Sequence, residues 1–136
     1  MHFSHMLQSI NRLAKVRDFN LIIKYGRWVN GSFCDLKWLR LGTIQNYFPK
    51  KEDPEKFKKQ LKLVFTVGVK ISKSAVKRNR VRRQMREVVR LLIKDHQLQN
   101  GYYLLFVAKK PILEKNYSEI REEMKLLLFK SGSLQR

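Results

Sequence analysis

Apolar residues at Leu13, Val16, Phe19, Leu21, Ile22 and Ile23 recur at helical spacing between Asn11 and Tyr25 and stop at Gly26. The spacing predicts a short amphipathic first helix with Gly26 as a left-handed cap. Trp28-Val29 and the segment from Phe33 onward flank Asn30-Gly31, a pair suited to a tight hairpin turn because both positions tolerate positive φ. The second strand, Ser32 to Leu41, alternates Cys34, Leu36 and Trp38 with Phe33, Asp35 and Lys37, and is expected to be half exposed. Gly42 to Gln60 is polar, holds Pro49 and Pro54, and reads as a long mobile loop.

A period of two then runs from Leu61 to Ser72, the clearest strand in the chain. Ala75 to Lys94 contains neither Gly nor Pro and predicts a long helix; Tyr102 to Ala108, after Asn100-Gly101 and closed by Pro111, predicts a buried strand. Ser118 to Lys130 begins with Glu119, Glu122 and Glu123 and ends before Gly132, the charge order that a helix dipole favours. The element order is αβββαβα. It implies an α+β fold with a mostly antiparallel four-stranded sheet and one strand–helix–strand crossover, in a single domain spanning 1–136 whose first ten residues are expected to be flexible.

Composition sharpens the picture through charge. Thirty Lys and Arg against eleven Asp and Glu leave +19, an excess that repels itself in any compact state and calls for a polyanionic partner. With 43% hydrophobic residues the chain nonetheless has material for a core. Its single cysteine, Cys34, forms no internal bridge and suits a reducing compartment, and no apolar run approaches the ~20 residues of a membrane span. The triplets at Asn30 and Asn116 that match a glycosylation pattern are therefore read as chance.

The charge concentrates where a helix is expected. Lys70 to Arg90 holds Lys70, Lys73, Lys77, Arg78, Arg80, Arg82, Arg83, Arg86 and Arg90 against the single acid Glu87. At ~100° per residue Val81, Met85, Val88 and Leu92 make an apolar seam, while Asn79, Arg82, Arg83, Arg86 and Arg90 gather on the adjoining arc. A solvated face normally mixes signs to gain i,i+4 pairs; arginines at 78, 82, 86 and 90 forgo them, and phosphates relieve the repulsion. Asn79 among them can donate and accept, and so can read a sugar or base edge.

The string from Ser72 to Glu87, centred on Arg78-Asn79-Arg80, resembles the signature of the bacterial ribonuclease P protein subunit. Asn11-Arg12-Leu13 with Arg17-Asp18-Phe19 resembles the family's first helix, and Tyr102 to Pro111 its last strand. Two departures accompany the match: Val69-Lys70 stands where the family commonly has a lysine pair, and the Gly42 to Gln60 connector is long.

The resemblance implies a left-handed crossover through the basic helix and a protein that joins a catalytic RNA to remove the 5′ leader of precursor tRNA. The RNA would carry the chemistry with Mg²⁺, and the protein would contribute no catalytic or metal-binding residue and no cofactor of its own. By this likeness Arg12, Lys73, Lys77, Arg80, Arg83 and Arg90 would meet the RNA subunit, and Phe19, Trp38, Arg78, Asn79, Arg82 and Arg86 the leader, in a cleft between the first helix and the sheet. Phe33 competes with Trp38 as the cleft aromatic, and Phe19 stays open between core and stacking surface. A monomeric protein in a 1:1 complex with RNA, in the bacterial cytoplasm and away from membranes, is the corresponding expectation.

Charge and fold class alone fit a ribosomal or other structural RNA-binding protein as well, with a DNA-binding protein third. A stand-alone nuclease would need grouped carboxylates or a poised base. Glu52-Asp53-Glu55 fall in a Lys-rich loop and Glu119, Glu122 and Glu123 at a helix start, and His2, His5 and His96 lie outside the motif.

Overall fold

The computed structural model describes residues 7–44 and 53–135. Its elements are α1 (Val16–Tyr25), β1 (Arg27–Asn30), β2 (Cys34–Arg40), α2 (Pro54–Lys58), β3 (Leu61–Thr66), α3 (Ala75–Lys94), β4 (Tyr102–Ala108) and α4 (Tyr117–Ser131). The strands form one mixed sheet in the order β1-β2-β4-β3. β1 pairs with β2, and β2 with β4, antiparallel; β3 runs parallel to β4, joined to it through α3. This arrangement is consistent with the left-handed crossover expected from the resemblance.

β4 is buried on both faces, and that follows from its place at the centre. One face packs with α3 and α4 around Leu36, Leu63, Val81, Met85, Phe106, Ile120 and Met124. The other packs with α1 and α2 around Ile22, Leu39, Phe57, Tyr103 and Leu105. β2, expected to be half exposed, has both faces covered for the same reason: Leu36 meets the α3/α4 layer, whereas Lys37 and Leu39 turn toward α1 and are buried too.

Several local expectations give way to tertiary context. The first helix begins at Val16, not Asn11. Residues 11 to 13 run instead beside β3, where Asn11 Nδ2 donates to Leu61 O (2.8 Å) and Leu13 N to Leu63 O (2.9 Å). An edge strand's free carbonyls are thereby satisfied. Gly26 has φ −71, so it is no left-handed cap; its need is for space, since a Cβ there would lie 2.4 Å from Ile22 O. The hairpin between β1 and β2 pairs Asn30 with Asp35, leaving a longer loop than a two-residue turn, and neither Asn30 nor Gly31 takes positive φ. The Glu123 carboxylate holds that loop by accepting from Ser32 N (2.7 Å), Phe33 N (2.9 Å) and Cys34 N (2.8 Å).

β3 ends at Thr66 rather than Ser72, because its partner β4 runs out of residues to pair and the chain turns at Gly68. The Gly42 to Gln60 connector is not wholly loop. Asp53 accepts from Glu55 N, Pro54 opens α2, and the fully buried Phe57 packs edge-on against Tyr103 at 6.1 Å. The Asp-Pro-Glu order was a legible helix start. Residues 45–52 of the connector, and residues 1–6 of the segment expected to be flexible, lie outside the described residues. α3 and β4 have the bounds that the pattern predicts. α4 starts one residue before Ser118, on an Asn116/Glu119 capping box, and Gly132 closes it with φ 84.

Candidate nucleic-acid interface

α3 begins where Ser74 Oγ accepts from Lys77 N (3.3 Å) and buries Val81, Met85, Val88, Val89 and Leu92. That seam fixes the helix against the sheet and turns the basic arc outward. The arginine row is not a uniform stack of charge. Arg78 Nη1 donates to Ser72 O (2.7 Å), and Arg80 Nη2 to Leu113 O (2.9 Å). Arg82 makes two contacts, Nη1 to Asn79 Oδ1 (2.7 Å) and Nη2 to Val67 O (3.0 Å) at the end of β3. Arg90 is committed to Glu87 through Nε (3.0 Å) and Nη2 (2.6 Å), and that carboxylate raises its pKa. A fork-on-carboxylate pair largely spends the charge that a phosphate would need.

The side chains of Lys73, Lys77, Arg83 and Arg86 make no hydrogen bond or ion pair among the described residues. Arg86 is depressed below the usual arginine range, chiefly by burial and then by the charges of Arg82, Arg12 and Arg83. The last three names matter. Arg12 comes from the segment bridged to Leu63 on the β3 edge, so the fold brings it into one basic patch with arginines 70 or more positions away. The expectation divides these arginines between an RNA-subunit set and a leader set; in the structure they are contiguous.

The face of the sheet carrying α1 is only partly covered. Strand register places Trp28, Lys37, Leu105 and Val64 in one row across it, and Asn30, Asp35, Val107 and Thr66 in the next. Val64 and Val107 are half-buried, and Thr66 and Trp28 are exposed. α1 is pinned over this face by the buried Asp18 carboxylate, which meets Arg17 (3.1 Å) and Lys62 Nζ of β3 (3.5 Å). Phe19, at 37% exposure, and Ile23, at 47%, stand on an outer flank of α1, while Ile22 is fully buried. Phe19 is therefore available for contact and is not core.

Trp38 and Phe33 belong elsewhere. Trp38 points to the α3/α4 side of the sheet, 6.2 Å from Tyr102, and Phe33 is buried in that same core with Lys115 Nζ 5.3 Å from its ring. Neither lines a cleft with Phe19, because side chains on alternate strand positions face opposite ways. The exposed strand aromatic on the α1 side is Trp28, overlooked because β1 is too short for its alternation to show; its register with Lys37 reveals it only after folding. Among the described residues no three His, Cys, Asp or Glu side chains cluster as metal ligands, and no helix is long and apolar enough to cross a membrane.

Residues 7–132 match the family model described as Ribonuclease P. The chain is 36% identical over 129 residues to the "Ribonuclease P protein component" of Synechococcus sp. (strain JA-2-3B'a(2-13)), covering 95% of this chain and 87% of that one. It is 39% identical over 126 residues to the protein of the same name from Thermoanaerobacter sp. (strain X514), covering 93% of each. In structure it resembles the RNase P protein of Staphylococcus aureus (TM-score 0.69, 18% identity, covering 94% of this chain and 100% of that one). The RNase P protein of Thermotoga maritima is similar too (TM-score 0.67, 22% identity, 88% and 96%). These two likenesses concern the fold.

Proposed function

Because the chain belongs to the ribonuclease P protein family, we propose that it binds the catalytic RNA of that ribonucleoprotein and the 5′ leader of precursor tRNA, assisting endonucleolytic removal of the leader. The observation that carries this reading is the helix α3: one side is sealed into the core, and the other offers Lys73, Lys77, Arg83 and Arg86 without protein partners, beside an exposed Asn79. Protein-neutralised charge would serve stability; charge left open on a rigid helix serves a polyanion. Family membership decides against the ribosomal-protein and DNA-binding alternatives, which rest on charge and fold class alone.

In this reading the open cations of α3, with Arg12, hold RNA phosphates, and the α1 flank with the uncovered sheet face receives unpaired leader nucleotides. Phe19 offers a base a stacking surface, and Asn79 and Arg82 stand at the β3 end of the same region. Arg80 and Arg78 contribute charge while their forks also tie α3 to neighbouring carbonyls; Arg90, already paired, contributes least. Bond cleavage belongs to the RNA and its Mg²⁺, and the protein lowers the repulsion between two polyanions. A monomer bound 1:1 to the RNA in the bacterial cytoplasm completes the proposal.

The decisive experiment is reconstitution. Added to a ribonuclease P RNA at low Mg²⁺, the protein should raise cleavage of precursor tRNA, with the benefit shrinking as Mg²⁺ takes over the screening. RNA-free protein should cut nothing. Efficient cleavage by metal-supplemented protein alone would overturn the division of labour.

A further inference from the structure

We propose that Trp28 is a second base-stacking platform, extending the leader track past Phe19 to the end of α1; the inference rests on the leader reading above and names a residue for it. Trp28 is a large aromatic left 49% exposed on the α1 side of the sheet, where its register partner is Lys37. The lysine is itself nearly buried. Its stem runs beneath Gly26, where a Cβ would lie 3.0 Å from Lys37 Cγ, and its ammonium donates to Ile23 O (2.7 Å) while sitting 5.3 Å from the Trp28 ring centroid. The cation therefore does two jobs: it caps the last turn of α1, and it holds the indole in place.

An indole fixed in this way gains little from the protein for remaining in water. Only one side of the ring meets the ammonium, and the apolar remainder is open to a partner. Phe19 and Ile23 lie one turn apart on the same exposed flank, roughly 6 Å along the helix axis, and Ile23's carbonyl shares the Lys37 ammonium with Trp28. The Lys37 ammonium thus ties the Trp28 ring to the Ile23 backbone, at the end of the helix whose flank carries Phe19 and Ile23. Lys24 and Arg27, both exposed, supply positive charge along the stretch of chain that leads from α1 into Trp28. Flat apolar rings beside exposed cations suit a single-stranded polynucleotide, whose bases stack while its phosphates meet the basic side chains. An acidic peptide would use the charge and leave the rings idle.

The test uses full-length protein assembled with its RNA subunit. In a Trp38→Phe background Trp28 is the only tryptophan, so its fluorescence reports on this site alone. Precursor tRNA with a leader of several nucleotides should quench it, whereas mature tRNA and a one-nucleotide leader should not. Trp28→Ala should lower affinity for the long-leader precursor by about 5- to 100-fold and leave mature tRNA unaffected, with Trp28→Phe restoring most of the loss. Quenching that is absent, or equal for precursor and mature tRNA, would overturn the proposal without any substitution at position 28. Phe19→Ala separates the two levels: if it lowers the precursor preference and Trp28→Ala does not, only the Trp28 platform fails; if neither does, the leader reading fails with it.

Discussion

Arg82 donates to the side-chain oxygen of Asn79 at 2.7 Å and, with the other arm of its guanidinium, to Val67 O at 3.0 Å. The amide of Asn79 is thereby oriented: its oxygen faces Arg82, and its NH₂ is left to face outward as a donor. A freely turning asparagine offers either edge. This one is set to meet an acceptor, as a phosphate, a ribose or a base carbonyl would supply.

The pair should therefore act as a unit. Arg82→Lys keeps the charge but loses the fork, and Asn79→Ala removes the amide. In a double-mutant cycle on precursor tRNA affinity the two losses should fall short of additivity by ~0.5 to 3 kcal/mol. Additive losses would mean that Asn79 is oriented by something other than Arg82.

Open and spent arginines should differ in their salt dependence. Arg83 has no partner among the described residues and Arg90 is held by Glu87. Replacing Arg83 by Ala should reduce the slope of log K against log salt for RNA binding by roughly 0.7 to 0.9, while Arg90→Ala should change it little. Equal slopes for the two variants would deny the distinction.

Glu123 bears on stability rather than RNA. Its carboxylate accepts from three successive loop amides, at Ser32, Phe33 and Cys34, and so joins α4 to the β1–β2 turn. Glu123→Ala leaves those donors to find water in a half-closed site and should cost at least ~2 kcal/mol in urea unfolding. A cost below ~0.5 kcal/mol would show that the turn holds itself.

Cys34 gives a pH dependence with a definite sign. Burial, then the charges of Glu123 and Asp35, raises its pKa well above the ordinary 9.0. Below about pH 8 the thiol is protonated in folded and unfolded chains alike and contributes no slope. Above about pH 9 the unfolded thiol ionises and the folded one does not, so stability falls by up to ~1.4 kcal/mol per pH unit. Urea titrations at pH 7 to 10 should show this loss in the wild type and not in Cys34→Ala, and native protein at pH 8 should resist thiol reagents.

Periodicity and charge, which are local properties, made the long elements and the basic helix readable from the chain alone. Ala75 to Lys94 lacks helix breakers, Tyr102 to Ala108 is apolar throughout because both its faces are covered, and Asn79, Arg82, Arg83 and Arg86 share the helix arc adjoining the seam. Contacts between distant segments decided the rest. Whether Asn11 to Leu13 continues a helix or lines a strand depends on the open edge of β3, fifty residues away. Which aromatic shares a face with α1 depends on register: Trp38 and Trp28 look equivalent in sequence, yet β2 points the former at Tyr102, whereas pairing with Lys37 turns the latter toward α1. Charge pairing is divided in the same way: the Arg90–Glu87 pair follows helical spacing, whereas the carbonyls of Leu113 and Val67 that engage Arg80 and Arg82 are brought within reach only by the fold.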